Sequence, residues 1–226
     1  MRRVIQFAPG FYYHLCNKSN DGKVIFFDER DYARMLFFML FYQSPTPFFN
    51  IGRSISYFMQ HGTFNISQET QETIQAKQRV ELNAFTIMPN HFHILAREKE
   101  ENGIVRYLQR LQAGYAKYAN AKYERGGHLF RGSFRAVPVK TDEQLLYLSA
   151  YIHRNPRDLD KWRGQELSYP WSSYQDFAKE NRWKELLNPA IILNQFSGPK
   201  AYKEFVETSS AKLKENETQL SNLFLE

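Results

Sequence analysis

Residues 88–98 read MPNHFHILARE, and the phase of the two histidines in that run decides how the chain around it folds. His91 and His93 are separated by one large apolar residue. In a strand, whose side chains alternate with a period of two, both imidazoles share one face and Phe92 takes the other. Pro89-Asn90 is a tight-turn dipeptide, so residues 81–88 form the first arm of a β-hairpin that carries the histidines on its second arm. Two imidazoles side by side on a strand can grip one divalent metal, and the same alternation also suits an ordinary exposed strand face. A third ligand, a nucleophile and a substrate surface elsewhere in the chain would favour the metal.

On the N-terminal side, FYYHLC at residues 11–16 is aromatic-rich and reads as a first strand, closed by turn residues 17–22, with its partner far away in sequence. Asp28 is suited to cap a helix whose buried face is Tyr32, Met35, Leu36, Met39 and Leu40, and Pro45 and Pro47 stop it. Residues 45–80 read as an excursion: an apolar stretch from Phe48 to Met59, then a polar Gln/Glu/Thr tract with helical propensity. In the first hairpin arm, Leu82 and Ala84 alternate only loosely with Asn83 and Phe85.

Past Asn102-Gly103, a helix over about residues 104–123 has the apolar face Ile104, Leu108, Leu111, Tyr115, Tyr118 and Ala119, with Arg106, Arg110, Lys117 and Lys122 mostly on solvated positions. Gly126-Gly127 ends it. Residues 128–139 read as a loop entering a strand that places Phe134, Ala136 and Pro138 on one side, Arg135 and Val137 on the other, with Pro138 marking an edge or an end. Thr141 or Asp142 caps a helix over residues 143–155 with the buried stripe Leu145, Leu148 and Ile152, and Asn155-Pro156 ends it. The order strand, helix, strand, strand, helix, strand, helix predicts an α+β fold: a ferredoxin-like βαββαβ antiparallel sheet with one appended helix. We place the main domain at residues 1–178, with YPWSSY at 169–174 packing back on it. A C-terminal extension, 179–226, reads as helical and charged towards its end.

Apolar residues at 42% and aromatics at 16% of the 226 residues exclude a disordered chain. The net charge of +6 is concentrated. Arg106, Arg110, Lys117, Lys122, Arg125, Arg131, Arg135 and Lys140 face Glu124 alone between residues 103 and 140. Interleaved with Tyr115, Tyr118, Tyr123, Phe130 and Phe134, this window suits a nucleic-acid groove in which cations meet phosphates and rings stack on unpaired bases. Cys16, the single cysteine, rules out an intrachain disulfide. With no signal-like or membrane-length apolar run, a cytoplasmic setting without membrane is expected.

Tyr147, Tyr151 and Asn155 follow one another at intervals of four on the last helix, on a face opposite Leu145, Leu148 and Ile152. A tyrosine held clear of the core is a candidate nucleophile, and an amide oxygen one turn on is a candidate third metal ligand. Tyrosine attack on phosphorus keeps the energy of the broken phosphodiester in a covalent intermediate and permits rejoining. Tyr115 is a rival that lies on an apolar stripe. Tyr147 is a second polar group or a surface tyrosine, His153 is expected on the surface, and His14 and His128 are expected to be packing histidines.

With these residues in place, the sequence resembles the single-tyrosine HUH transposases that carry the transposase IS200-like domain, in particular the REP-associated tyrosine transposases. The resemblance lies in MPNHFHIL, YHLCNKSNDGKVIFFDERDYARML at 13–36, GYAKYANAKYERGGHLFRGSFRA at 114–136, YLSAYIHRNPRDL at 147–159 and YPWSSYQDF at 169–177. It implies that Tyr151 is the nucleophile, that His91 and His93 hold Mg²⁺ or Mn²⁺, and that Asn155 replaces the helix-borne ligand, often Gln in relatives. It further implies single-stranded DNA with a hairpin as partner, a 5′-phosphotyrosine intermediate with a free 3′-OH, and action as a monomer or homodimer. Arg106, Arg110, Lys117, Lys122, Arg125, Arg131, Arg135 and Tyr115 are the expected DNA contacts. Besides an active transesterase, the pattern allows a domesticated hairpin-binding protein that no longer cuts. A replication initiator or relaxase is a weaker third, because relaxases usually place the tyrosine before the histidines.

Overall fold

The computed structural model describes residues 5–209. Four strands, β1 (Tyr12–Lys18), β2 (Val80–Met88), β3 (His91–Glu98) and β4 (Arg135–Val139), form one antiparallel sheet in the order β2-β3-β1-β4. With α1 (Glu29–Phe41), α4 (Gly103–Lys122) and α5 (Asp142–Arg154) between and after them, the chain has the expected ferredoxin-like order. The excursion supplies α2 (Ile51–His61) and α3 (Gln68–Ala76), and α6 (Tyr174–Ala178), α7 (Ala190–Leu193) and α8 (Pro199–Thr208) follow.

β3 divides two cores. Its Phe92, Ile94 and Ala96 pack with α1 and α4 in the larger one, whereas Leu95 packs with α5 and α8 on the opposite face of the sheet. The loose alternation near residue 83 has a physical cause. A register shift between Leu82 and Ala84 sends Leu82 to the first core and Ala84 to the second, and Asn83 is buried with its amide donating to the Asn188 carbonyl at 3.0 Å. Leu82 and Ala84 therefore do not share a face. The outer edge of β2 is not left open: Ile87 N–H donates to the Trp171 carbonyl at 2.9 Å and Asn188 N–H to the Leu82 carbonyl at 2.9 Å. β4, with Pro138, is the other edge.

Helix α1 begins as its sequence suggests, with Asp28 and Asp31 forming a capping box. Beyond that it departs from a one-sided amphipathic helix, because every residue from Met35 to Phe41 is buried between the sheet, α2 and α4. The helices of the excursion form a second layer: Phe58 and Phe64 lie 4.5 Å apart, ring centre to ring centre, and both approach Trp183. Gly103 opens α4 where only glycine fits, since a Cβ there would run into the Arg79 carbonyl. The Glu98 carboxylate accepts the N–H groups of Gly103 and Ile104 at 3.0 and 2.7 Å and so ties the end of β3 to α4. Helix α8, the described part of the charged terminal stretch, docks on α5 through Tyr202 and Val206; residues 210–226 lie outside the described residues. Among the described residues no helix is long and apolar enough to cross a membrane.

Asp31 is the buried polar centre of the first core. Its carboxylate accepts from Phe27 N–H at 2.8 Å, Tyr118 Oη at 2.9 Å, Tyr123 Oη at 2.6 Å and Lys122 Nζ at 2.7 Å. Burial by itself would raise its pKa; the donors, Lys122 and Tyr123 foremost, outweigh burial and hold the carboxyl below its usual value. The folded protein thus binds this proton less readily than the unfolded chain. The stabilisation is present above the ordinary carboxylate range and is lost as pH falls below about 4. Asp31→Asn is expected to lower the unfolding free energy near pH 7 by about 3 kcal/mol, the cost of leaving Lys122 without its buried partner. In urea titrations the gap between variant and wild type should close as the pH is taken from 6 towards 3.

Candidate active site

The β1–β3 register sets Cys16 opposite His93 and Lys18 opposite His91, so alternate residues of β1 share a sheet face with the two histidines. His14 lies on this same face. Its Nε2 is 2.9 Å from His93 Nδ1, and the two rings stack at 5.1 Å. His91 is oriented by its neighbour, with Nδ1 2.6 Å from Asn90 Oδ1. The rings of His91 and His93 stand edge to face at 5.0 Å. In both, orientation is set through Nδ1, the arrangement by which outer partners fix metal-ligating imidazoles so that Nε2 would ligate.

Helix α5 crosses this face. Thr141 caps it, and it carries Tyr151 against both His93 and His14, with ring centres at 5.3 and 5.9 Å. Asn155 closes the helix, its Nδ2 donating to the Tyr151 carbonyl at 2.9 Å, and the turn that follows packs on β2. The expected nucleophile and both expected histidine ligands thus come together, with the expected amide one turn beyond. The environment of Tyr151 differs from the expectation: it is 2% exposed, not held clear of the core, because the sheet covers it from below. Asn155 is equally buried.

Thr86 on β2 is directly opposite His93, fully buried, and its hydroxyl has no hydrogen-bond partner. An orphaned hydroxyl beside paired imidazoles is compatible with a polar group or ion at this end of the sheet. Among the described residues no cluster of three or more His, Cys, Asp or Glu is disposed to hold a metal. A metal here would depend on Asn155 or on water beyond the histidine pair. The Cys16 thiol is pushed up to about 12 by burial, against the opposing pull of Arg135 and Lys18, and stays neutral.

Other expectations are corrected. His153 is not on the surface. It is fully buried, with Nδ1 2.6 Å from Tyr202 Oη and Nε2 2.8 Å from Ser173 Oγ, and burial pushes its pKa down to about 3. Its neighbour Arg154 donates to the Val206 carbonyl at 2.6 Å, so two consecutive residues of α5 anchor α8. His14, expected as a packing residue, is part of the histidine cluster. Tyr147 is half-buried and meets Phe205 edge to face, while His128 is exposed.

The expected DNA contacts separate. Tyr115 is fully buried and its hydroxyl donates to the Ile25 carbonyl at 2.6 Å, so it is a core residue that cannot stack on a base. Arg110 donates to the carbonyls of Ser44 and Thr46 at 2.6 and 2.5 Å and lies over the Tyr42 ring, which fastens the excursion to α4. Lys122 is held by Asp28 and Asp31 at 2.6 and 2.7 Å, and Arg106 is paired with Glu100 at 3.2 Å. Lys117, Arg125, Arg131 and Arg135 are exposed.

Residues 56–155 match the family described as "Transposase IS200 like"; the matched segment runs from within α2 to Asn155 and contains the histidine pair and Tyr151. No curated protein matches the chain. Among solved structures, the REP-associated tyrosine transposase bound to a REP hairpin is similar at 12% identity and a TM-score of 0.49, covering 78% of this chain and 84% of that one. A crystal structure assigned as a transposase from Deinococcus radiodurans r1 is similar at 14% identity and a TM-score of 0.29, over 64% of this chain and 91% of that one.

His153→Ala should leave Tyr202 Oη and Ser173 Oγ facing a cavity and cost about 3 kcal/mol of unfolding free energy. A surface histidine would cost almost nothing, so urea unfolding at pH 7 separates the two placements.

Proposed function

We propose, from the IS200-like transposase match over residues 56–155, that this protein is a metal-dependent single-stranded DNA transesterase that cuts and rejoins strands near hairpins through Tyr151. The observation that carries this reading is the convergence of His91, His93 and Tyr151 on one sheet face, with the Tyr151 ring 5.3 Å from His93. Tyr151 Oη attacks the scissile phosphorus and the bond to the 3′-oxygen breaks. The phosphoryl group remains on Tyr151 as a 5′-phosphotyrosine, the phenol gives up one proton, and the departing 3′-oxygen gains one to become a free hydroxyl. Attack by another 3′-hydroxyl reverses the step without outside energy.

His91, His93 and Asn155 would hold Mg²⁺ or Mn²⁺. When bound, the metal supplies polarisation of a non-bridging phosphate oxygen and offsets the charge that builds in the transition state. Two imidazoles in the donor set favour Mn²⁺ over Mg²⁺, which prefers oxygen ligands and water. His14 and Asn90 orient the two imidazoles, and Asn155 joins the end of α5 to the Tyr151 carbonyl. Tyr151 meets His14 and His93 of its own chain, which supports a site completed within one copy.

One observation favours the second reading, a hairpin-binding protein that no longer cuts: Tyr151 is only 2% exposed. Cutting therefore requires an opening through which the phosphate and the phenol can meet. Oligonucleotides labelled at either end and carrying the inverted repeats that flank the gene distinguish the two. Wild type with Mn²⁺ should form a covalent adduct on the 5′-phosphate side and release a strand with a 3′-hydroxyl; Tyr151→Phe, or EDTA, should abolish it. An adduct that persists in Tyr151→Phe, or that ignores the chelator, contradicts the assignment. Hairpin binding with no adduct under any condition establishes the second reading.

A further inference from the structure

We infer that the groove between the end of β1 and the segment leading into β4 receives an unpaired nucleotide of the DNA strand, next to the phosphate at the histidine pair. The inference rests on single-stranded DNA being the substrate and adds where the strand lies. The groove is a cavity of about 650 Å³ whose lining includes Lys18, Asn20, Asp21, Arg131, Ser133 and Arg135, with Cys16 at its base. That volume falls in the range of roughly 300–1,000 Å³ typical of small-ligand sites. It has room for a single nucleotide, which an unpaired strand can present to it.

Three cations line the groove against one carboxylate, that of Asp21, which has Lys23 3.7 Å away. Lys18 and Arg131 form no ion pair among the described residues, in contrast to Lys122 and Arg106, which the fold has already neutralised. Phosphate is the ligand that such a cationic wall recognises, and the amide of Asn20 and the hydroxyl of Ser133 are the kind of donors and acceptors that meet a base edge or sugar.

The walls are fixed in advance. Ser19 N–H donates to the Asn90 carbonyl at 2.8 Å, Asn20 N–H to the Leu129 carbonyl at 3.0 Å, and Arg131 N–H to the Lys18 carbonyl at 2.9 Å. Asn90 Nδ2 donates to the Gly22 carbonyl at 2.8 Å while its Oδ1 holds His91 Nδ1 at 2.6 Å. One residue thus braces both the groove and the metal-facing imidazole. Through the sheet register, Cys16 lies between His93 on one neighbour and Arg135 on the other, and Lys18 lies opposite His91. A chain of phosphates passing the histidines therefore runs directly into the cationic groove.

The test measures anisotropy of a labelled, unstructured DNA oligonucleotide with wild type, Lys18→Gln/Arg131→Gln and Lys200→Gln across a salt series, with far-UV circular dichroism to confirm folding. The double variant should bind about tenfold more weakly at low salt, and its log–log salt slope should be shallower by about 1.4, two single-strand phosphate contacts; Lys200→Gln should match wild type. 5-Iodouracil placed at successive positions of the oligonucleotide should cross-link to peptides containing residues 16–22 or 131–135. A folded double variant that binds like wild type, or cross-links confined to other segments, overturns the groove. If wild type still forms the Tyr151 adduct in that case, the transesterase reading stands and only the groove falls. Groove-dependent binding without any adduct does the reverse.

Discussion

The antiparallel register of β1 on β3 is the constraint from which the site follows. It is one residue deep: a slip by a single position would turn His14, Cys16 and Lys18 to the apolar core beneath α1 and α4, and bring Tyr13 and Leu15 under α5. The pairing observed places apolar rings on one side of the sheet and imidazoles, a neutral thiol and a lysine on the other. The first core, in which Phe92, Ile94, Phe85 and Leu15 interlock with two helices, pins the register energetically. Chemistry on one face is thus held in phase by packing on the other.

The second face is anchored by polar contacts inside an apolar shell. His153 joins Tyr202 of α8 to Ser173, and Ser173 in turn accepts the Phe85 N–H of β2 at 2.9 Å. A continuous path of hydrogen bonds therefore runs from the terminal helix through α5 to the strand beside the histidines. Fully satisfied networks of this kind rigidify a core, and this one sits two residues from Tyr151. The resting structure accordingly holds the phenol against His14 and His93 and away from solvent. Any displacement of α5 relative to β2 and α8 would have to break this path of hydrogen bonds.

Charge tells a similar story of location against sum. The chain carries a formal +6, and its densest basic run follows β3. Much of that run is spent inside the fold: Lys122 neutralises Asp31, Arg110 ties α4 to the loop at Ser44, and Arg106 pairs with Glu100. The positive surface nearest the site is made by the last part of the run, Arg131 and Arg135, together with Lys18 from the far end of the sequence.

Much of this protein was legible in its residues. The hairpin at Pro89-Asn90, the cap at Asp28, the helix stop at Asn155-Pro156 and the edge position of Pro138 are local signals, so the strand and helix order and the ferredoxin-like sheet followed from short-range chemistry. The pairing of His91 with His93 is equally local, since it needs only the two-residue period of a strand. Burial was not legible, because it depends on what arrives from elsewhere. Tyr151 and His153 look solvent-facing on a helix read alone, and become interior because α8 and the sheet close on both sides of α5. Lys122 looks like part of a surface until α1 brings Asp31 against it, and Tyr115, legible as part of an apolar stripe, is removed from the expected DNA contacts by a hydrogen bond to the Ile25 carbonyl, ahead of α1. His14 carries no local mark at all; its place beside His93 is fixed by a pairing of strands 79 positions apart, which only the tertiary structure decides.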